Sequence, residues 1–310
     1  MLQIIALLGL FIEILILSAI GFALRKFGFT WLATVLLCAC VAVVWRVVVC
    51  LISALVAGAL RRSAGSALPI SNSLRAFRVE LRAKMLSMSF LQPFHPLFMG
   101  AEPMNAGAET MPIVLLHGYV SNRGIWWWFR KNLQSAVPNA TIYSLIVEPV
   151  FGSIDACATQ FAVQLADIQV EHNNQPITLI VHSMGGLMAR AYLRDCLNAG
   201  RAHGLGRVFC LGSPHAGTQF AQFAIGVCAQ QMRYKSPWIG ALAAFEVSHS
   251  PTLPIVCIYT LNDDLVYPAE SGALILDAKT AQVEHVAVSA VGHVSLLFSP
   301  DVLALVLKRL

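Results

Sequence analysis

The chain has 310 residues, 57% of them hydrophobic and only 12% charged, with a formal charge of +5. That much apolar surface excludes a disordered protein, because burying it can offset chain entropy. A mean hydropathy of +0.69 is high for a chain read as one water-soluble globule, in which about a quarter of residues are charged.

The apolar excess begins at the N-terminus. From Leu2 to Leu24 only Gln3, Glu13 and Ser18 interrupt an apolar run, and from Trp31 to Leu60 only Thr34, Arg46 and Ser53 do. Each run reaches the roughly 20 residues needed to cross hydrocarbon. The joining segment, Arg25-Lys26-Phe27-Gly28-Phe29-Thr30, carries the charge and aromatics suited to an interface. Residues 1–62 therefore read as a transmembrane helical hairpin, which makes the chain a multi-pass membrane protein, expected in a bacterial inner membrane. A cleavable signal peptide is the competing reading; it lacks support because no basic segment precedes the first run and no small-residue cleavage site follows it. Glu13 and Arg46 fall near the middle of their runs, where a charge is expensive unless paired. At similar depth in an antiparallel hairpin they predict an intramembrane ion pair, with snorkelling or self-association as the alternative.

Charge sets the orientation. Two basic residues lie between the runs, whereas Arg61, Arg62, Arg75, Arg78, Arg82 and Lys84 follow the second, which places the downstream domain on the cytoplasmic side. Up to residue 90 there are nine Lys/Arg against two acids, a net of +7; from 91 onward the balance is −2. The basicity belongs to the membrane-proximal part, so nucleic acid is not an expected partner. Five downstream cysteines (157, 196, 210, 228 and 257), odd in number and without CxxC spacing, read as reduced thiols. Residues 63–110 form a linker with a basic amphipathic helix: Leu74, Phe77, Leu81, Met85 and Met88 make a stripe flanked by Arg75, Arg78 and Arg82. That stripe suits either a membrane surface or packing on the next domain.

From residue 111 the pattern becomes short apolar runs alternating with helical stretches. Strands are predicted over 113–116, 141–147, 177–182, 207–211, 255–260 and 283–288. Helices are predicted over 125–135, 154–172 and 184–198, with a last one after Ser299. Ser153 is placed to cap the second of these helices, and Pro251 and Pro254 close the segment before the fifth strand. The alternation implies an α/β domain over 111–310 with a parallel, doubly wound sheet covered on both faces. Residues 217–249 break the rhythm with a long apolar connection that reads as an inserted helical cap or lid.

Chemistry is concentrated after the strands. Ile177-Thr178-Leu179-Ile180-Val181-His182-Ser183-Met184-Gly185-Gly186 is a strand running into small residues and then a helix, the context of a nucleophile elbow. A serine hydroxyl is a weak nucleophile and needs a base, and the base needs an orienting carboxylate. Asp263 and Asp264 follow the fifth strand, and His293 follows the sixth. The order Ser183, Asp263, His293 puts a nucleophile, an acid and a base at one edge of the sheet.

These motifs resemble the α/β-hydrolase fold and, within it, the bacterial lipases and esterases. Leu115-Leu116-His117-Gly118-Tyr119 looks like the family's oxyanion loop, Gly212-Ser213-Pro214-His215-Ala216-Gly217-Thr218 is similar to its Pro-His-x-Gly segment, and Gly292-His293 matches its histidine position. Asp263-Asp264-Leu265-Val266-Tyr267-Pro268 fits a family pattern that selects Asp263 as the acid. Val181 stands where the elbow's first Gly is usual, so packing at that turn is expected to differ. The resemblance implies a membrane-anchored serine hydrolase acting on carboxylic, acyl or lipidic esters. The Tyr119 and Met184 backbone N–H groups would form the oxyanion hole. The alternatives are an acyltransferase or thioesterase with the same triad, or a non-catalytic binding module. His117, His182 and His215 read as structural, and Trp126-Trp127-Trp128 as core with one indole available to an acyl pocket. No metal-ligand or phosphate-loop spacing is present, so no cofactor is expected; the expected partners are an ester or lipid substrate and membrane lipids, and the sequence leaves the oligomeric state open.

Overall fold

The computed structural model describes residues 2–104, 109–249, 252–276 and 282–310; Met1 of the expected hairpin and Pro251 lie outside them. The two apolar runs are helices α1 (Leu2–Lys26) and α2 (Trp31–Ser63), both long and apolar enough to cross a membrane. Arg25 and Lys26 end α1, where cations meet the negative end of the helix dipole. Gly28, at φ +85°, makes the turn, and the Thr30 hydroxyl caps α2 by accepting the Ala33 N–H at 3.2 Å. Phe11, Ile14, Val44 and Leu55 are exposed, the arrangement that a surrounding apolar solvent would satisfy. Glu13 and Arg46 form a two-point ion pair across the hairpin, with the Arg46 Nη2–H donating to Glu13 Oε2 at 2.6 Å.

Helix α3 (Ile70–Leu86) follows, then a π-helical turn (Ser87–Leu91) and the short α4 (His95–Met99). The face of α3 that packs inward is Ala76, Glu80, Ala83 and Lys84. Small residues let α3 approach closely, and two charged ones find partners there; the hydrophobic stripe is divided, with Phe77, Leu81 and Met85 partly buried and Leu74 and Met88 exposed.

The domain alternates as expected: β1 (Met111–Leu116), α5 (Trp127–Ala136), β2 (Ala140–Leu145), α6 (Ile154–Glu171), β3 (Ile177–His182), α7 (Gly185–Asn198) and β4 (Leu205–Leu211). Then come α8 (Val227–Gln231), α9 (Pro237–Ser248), β5 (Ile255–Thr260), β6 (Val283–Val288) and α10 (Pro300–Leu307). The order is β2-β1-β3-β4-β5-β6 with every neighbouring pair parallel. The Ser153 hydroxyl caps α6 by accepting the Ala156 N–H at 3.0 Å. The first helical stretch differs slightly from expectation: a 3-10 turn over Arg123–Trp126 precedes α5, capped by Asn122.

Strands buried on both faces read as near-continuous apolar runs, and two cores result. One holds Phe161, Leu165, Leu187 and Tyr192 against the sheet; the other holds Trp126, Phe129, Leu133, Leu297 and Val302. In the long connection before β5, α9 is pinned to α7 by a buried pair, Arg190 donating from Nε and Nη2 to both Glu246 oxygens at 2.8 and 2.6 Å. The carboxyl edge of the sheet meets the hairpin and α3.

Candidate active site

Ser183 occupies the turn between β3 and α7 with φ +56°, a left-handed conformation that is uncommon for a non-glycine residue. Two glycines make that turn possible. A Cβ on Gly118 would come within 2.7 Å of Ser183 Cβ and 2.9 Å of the His182 carbonyl; one on Gly185 would lie 2.9 Å from the Leu116 carbonyl and 3.2 Å from Val181 Cβ. The last contact accounts for the sequence departure. Val181 is wholly buried in β3, and the bare Gly185 opposite supplies the room its β-branch requires.

Asp263 and His293 meet as the other two elements of the site. His293 Nδ1–H donates to Asp263 Oδ2 at 2.9 Å, both side chains being buried. Asp263 Oδ1 accepts the Leu265 and Val266 N–H groups at 2.9 and 2.7 Å, which fixes the carboxylate in its loop. Burial pushes the His293 imidazole down, but Asp263, with Glu80 and Asp264 behind it, pushes it up and wins, so the ring sits above its ordinary value. Ser183 and His293 line one cavity. Among the described residues the Tyr119 and Met184 backbone N–H groups donate to no protein acceptor, and Gly118 packs their two loops together.

Asp264 faces elsewhere. Its Oδ2 accepts from Lys84 Nζ at 2.5 Å and from the Ser53 hydroxyl at 2.8 Å. Burial pushes the Asp264 carboxyl up, but the Lys84 ammonium overcomes this and holds it below its usual range. Burial pushes Lys84 down, and Asp264 with Glu80 more than offsets this. Glu80 accepts the Val294 and Ser295 N–H groups at 3.0 and 2.8 Å, directly after His293. Arg61 Nη1 donates to the Asp263 carbonyl at 3.0 Å, and the Tyr267 hydroxyl donates to the Leu60 carbonyl at 2.9 Å. Ser53, Arg61, Glu80 and Lys84 thus grip the loops carrying Asp263 and His293. Sequence reasoning had spent them on the hairpin and linker; the one available signal was that Glu80 is one of only two acids in the first 90 residues, with Lys84 one turn on.

The remaining histidines have structural partners. His117 Nδ1–H donates to the Gly118 carbonyl at 3.0 Å while Nε2 accepts the Val147 N–H at 3.2 Å, and burial pushes its pKa down to about 4. His182 Nε2–H donates to the His293 carbonyl at 3.1 Å, bracing that loop from below, and burial holds the ring neutral, well below its ordinary value. The His215 carbonyl accepts from Arg190 Nη1 at 2.7 Å. Cys210, His215 and Cys257 bring their ligand atoms within 4.8 Å of one another, the one such group among the described residues. These are three buried donors where a closed zinc site takes four, and none lines the cavity.

The cavity measures about 930 Å³. On the domain side it is lined by Tyr119, Ile125, Phe220, Ala224, Met232 and Leu265, and on the other by side chains of α1, α2 and α3. Its indole is Trp45 of α2. The triple tryptophan is core, as expected, and gives no indole to the cavity: Trp126 is fully buried against Phe129 and His182, and Trp127 and Trp128 pack on the same core.

Comparison with solved structures decides the fold. Aspergillus fumigatus lipase B superposes with a TM-score of 0.58 at 17% identity, covering 67% of this chain and 54% of its own. A Listeria innocua gene product superposes with a TM-score of 0.51 at 15% identity, covering 64% of this chain and 92% of its own. The chain has the α/β-hydrolase fold. The chain spans about half the length of the Aspergillus lipase. Its residues 112–250 match the palmitoyl protein thioesterase family, a segment that takes in the elbow and the oxyanion loop and stops short of Asp263 and His293. No curated protein matches it in sequence.

Proposed function

We propose that the protein is a membrane-anchored serine hydrolase that cleaves carboxylic esters of acyl or lipidic substrates through Ser183, His293 and Asp263. The observation that carries the reading is the strained Ser183 and the Asp263-paired His293 lining one cavity. His293 takes the hydroxyl proton as Ser183 Oγ bonds to the ester carbonyl carbon, and the carbonyl electrons move to oxygen. The Tyr119 and Met184 N–H groups receive that oxyanion, a contribution of about 10²–10³ in rate per donor. Collapse of the intermediate expels the alcohol, which leaves with the proton from His293. A water deprotonated by the same imidazole then releases the acid from the acyl-Ser183 enzyme. Asp263 holds the imidazole tautomer and stabilises its cation.

The two apolar helices support membrane anchoring, with the exposed Leu74 of α3 and Met88 of the π-helical turn set for the membrane surface. The six basic residues after α2 support a cytoplasmic domain. A thioester substrate is the second reading, favoured by the palmitoyl protein thioesterase match; it uses the same steps with a thiol as leaving group.

The test is hydrolysis of matched p-nitrophenyl esters and acyl thioesters by the full chain in detergent, with Ser183→Ala alongside. Turnover abolished in Ser183→Ala supports the enzyme, and the ester-to-thioester ratio of kcat/KM assigns the leaving group. Turnover equal in both proteins, or absent from both, refutes it.

A further inference from the structure

We infer that the hairpin is part of the substrate site as well as an anchor: the acyl chain of the substrate lies along the wall that α1 and α2 give the cavity. This rests on the ester-hydrolase reading above. An anchor needs no contact with the catalytic loops, yet α2 makes three polar ones, from Ser53, Leu60 and Arg61, to residues more than 200 positions away in sequence. They hold α2 at a fixed place beside Asp263 and Asp264. From there the cavity runs along α2 as far as Val41, lined by Ile12 and Ile16 of α1 and by Trp45 and Val49 of α2.

Three features point to an acyl chain as occupant. The first is chemical: the cavity's charged wall residues are internally paired, Arg46 with Glu13 and Lys84 with Asp264 and Glu80, so the wall between them presents apolar side chains. The second is dimensional. From Ser53 back to Val41 the wall rises about 18 Å at 1.5 Å per residue, close to half of the roughly 30 Å hydrocarbon core, which is the depth that a lipid's acyl chain occupies in one leaflet. The third is access. Ile12, Ile16, Trp45 and Val49 line the cavity yet remain exposed, so it is open at the hairpin, where a chain can pass from the bilayer without crossing water. The carbonyl then comes to Ser183 while the methyl end stays between the helices.

The experiment measures kcat/KM of the full-length protein in detergent for p-nitrophenyl butyrate and p-nitrophenyl palmitate. Val49→Trp fills the wall and is expected to lower the palmitate-to-butyrate ratio at least tenfold. Trp45→Ala widens it and is expected to raise the ratio. Val44→Trp, on a residue outside the lining, is expected to leave it within twofold. Equal ratios in wild type, Val49→Trp and Trp45→Ala, with butyrate still cleaved, overturn this inference alone. A wild type inactive on both esters overturns the functional reading, and this one with it.

Discussion

Glu80 offers the sharpest test of how α3 acts on the catalytic loops. Its carboxylate is buried, accepts the Val294 and Ser295 N–H groups at 3.0 and 2.8 Å, and lies 3.3 Å from Lys84 Nζ. Glu80→Ala leaves two backbone donors unpaired, each costing about 1–3 kcal/mol, and removes one counterion of a buried lysine. Breaking a buried pair costs about 3–5 kcal/mol, and that is the expected loss of stability. The effect on catalysis is separate: a displacement of about 1 Å at His293 lowers kcat about 10²-fold, with KM for a short ester little changed. Glu80 also helps to hold the His293 imidazole up, so its removal shifts the acid limb of the kcat/KM profile to lower pH. Glu80→Gln, which keeps one acceptor oxygen, is expected to fall between. The assay is denaturation in detergent together with butyrate ester turnover across pH. A Glu80→Ala protein with wild-type kcat and an unmoved acid limb refutes the reasoning, whatever its stability.

Other expectations follow from the same contacts. With His293 raised above 6.5, activity falls as the base is protonated, so the acid limb of kcat/KM lies above 6.5; Asp263→Asn lowers kcat about 10⁴-fold by losing the tautomer and moves that limb down. Gly118→Ala drives a methyl into Ser183 and the His182 carbonyl, and loss of one oxyanion donor is expected to reduce kcat about 10²–10³-fold, measured as single-turnover acylation. Glu13→Gln and Arg46→Leu form a double-mutant cycle read by thermal denaturation in detergent; the double variant is expected to lose less than the sum of the singles. Additivity to within about 0.5 kcal/mol would show that the ion pair contributes no coupling.

What the sequence made legible was what local periodicity encodes. The third, fifth and sixth strands fall on the predicted residues, the other three within two residues at either end, and Ser183, Asp263 and His293 follow strands whose carboxyl ends share one edge. The resemblance to a known fold added the roles of those residues and the oxyanion loop. Contacts between distant segments were not legible, because no spacing announces a partner 202 or 215 residues away, as for Arg61 with Asp263 and Glu80 with Ser295. For the same reason nothing singled out Trp45 within its apolar run, although the cavity takes its indole, whereas the triple tryptophan was legible as core. The inward face of α3 was not legible because a hydrophobic stripe is the usual guide to packing, and here alanines with a buried Glu80–Lys84 pair pack inward most deeply.

The central claim is that Ser183 is a nucleophile activated by His293, and active-site labelling tests it most directly. Full-length protein treated with a fluorophosphonate probe, digested and mapped by mass spectrometry should carry one adduct, on Ser183. Labelling should be absent from Ser183→Ala and strongly slowed in His293→Ala. Labelling of Ser183→Ala equal to wild type, or none in either, would contradict the account.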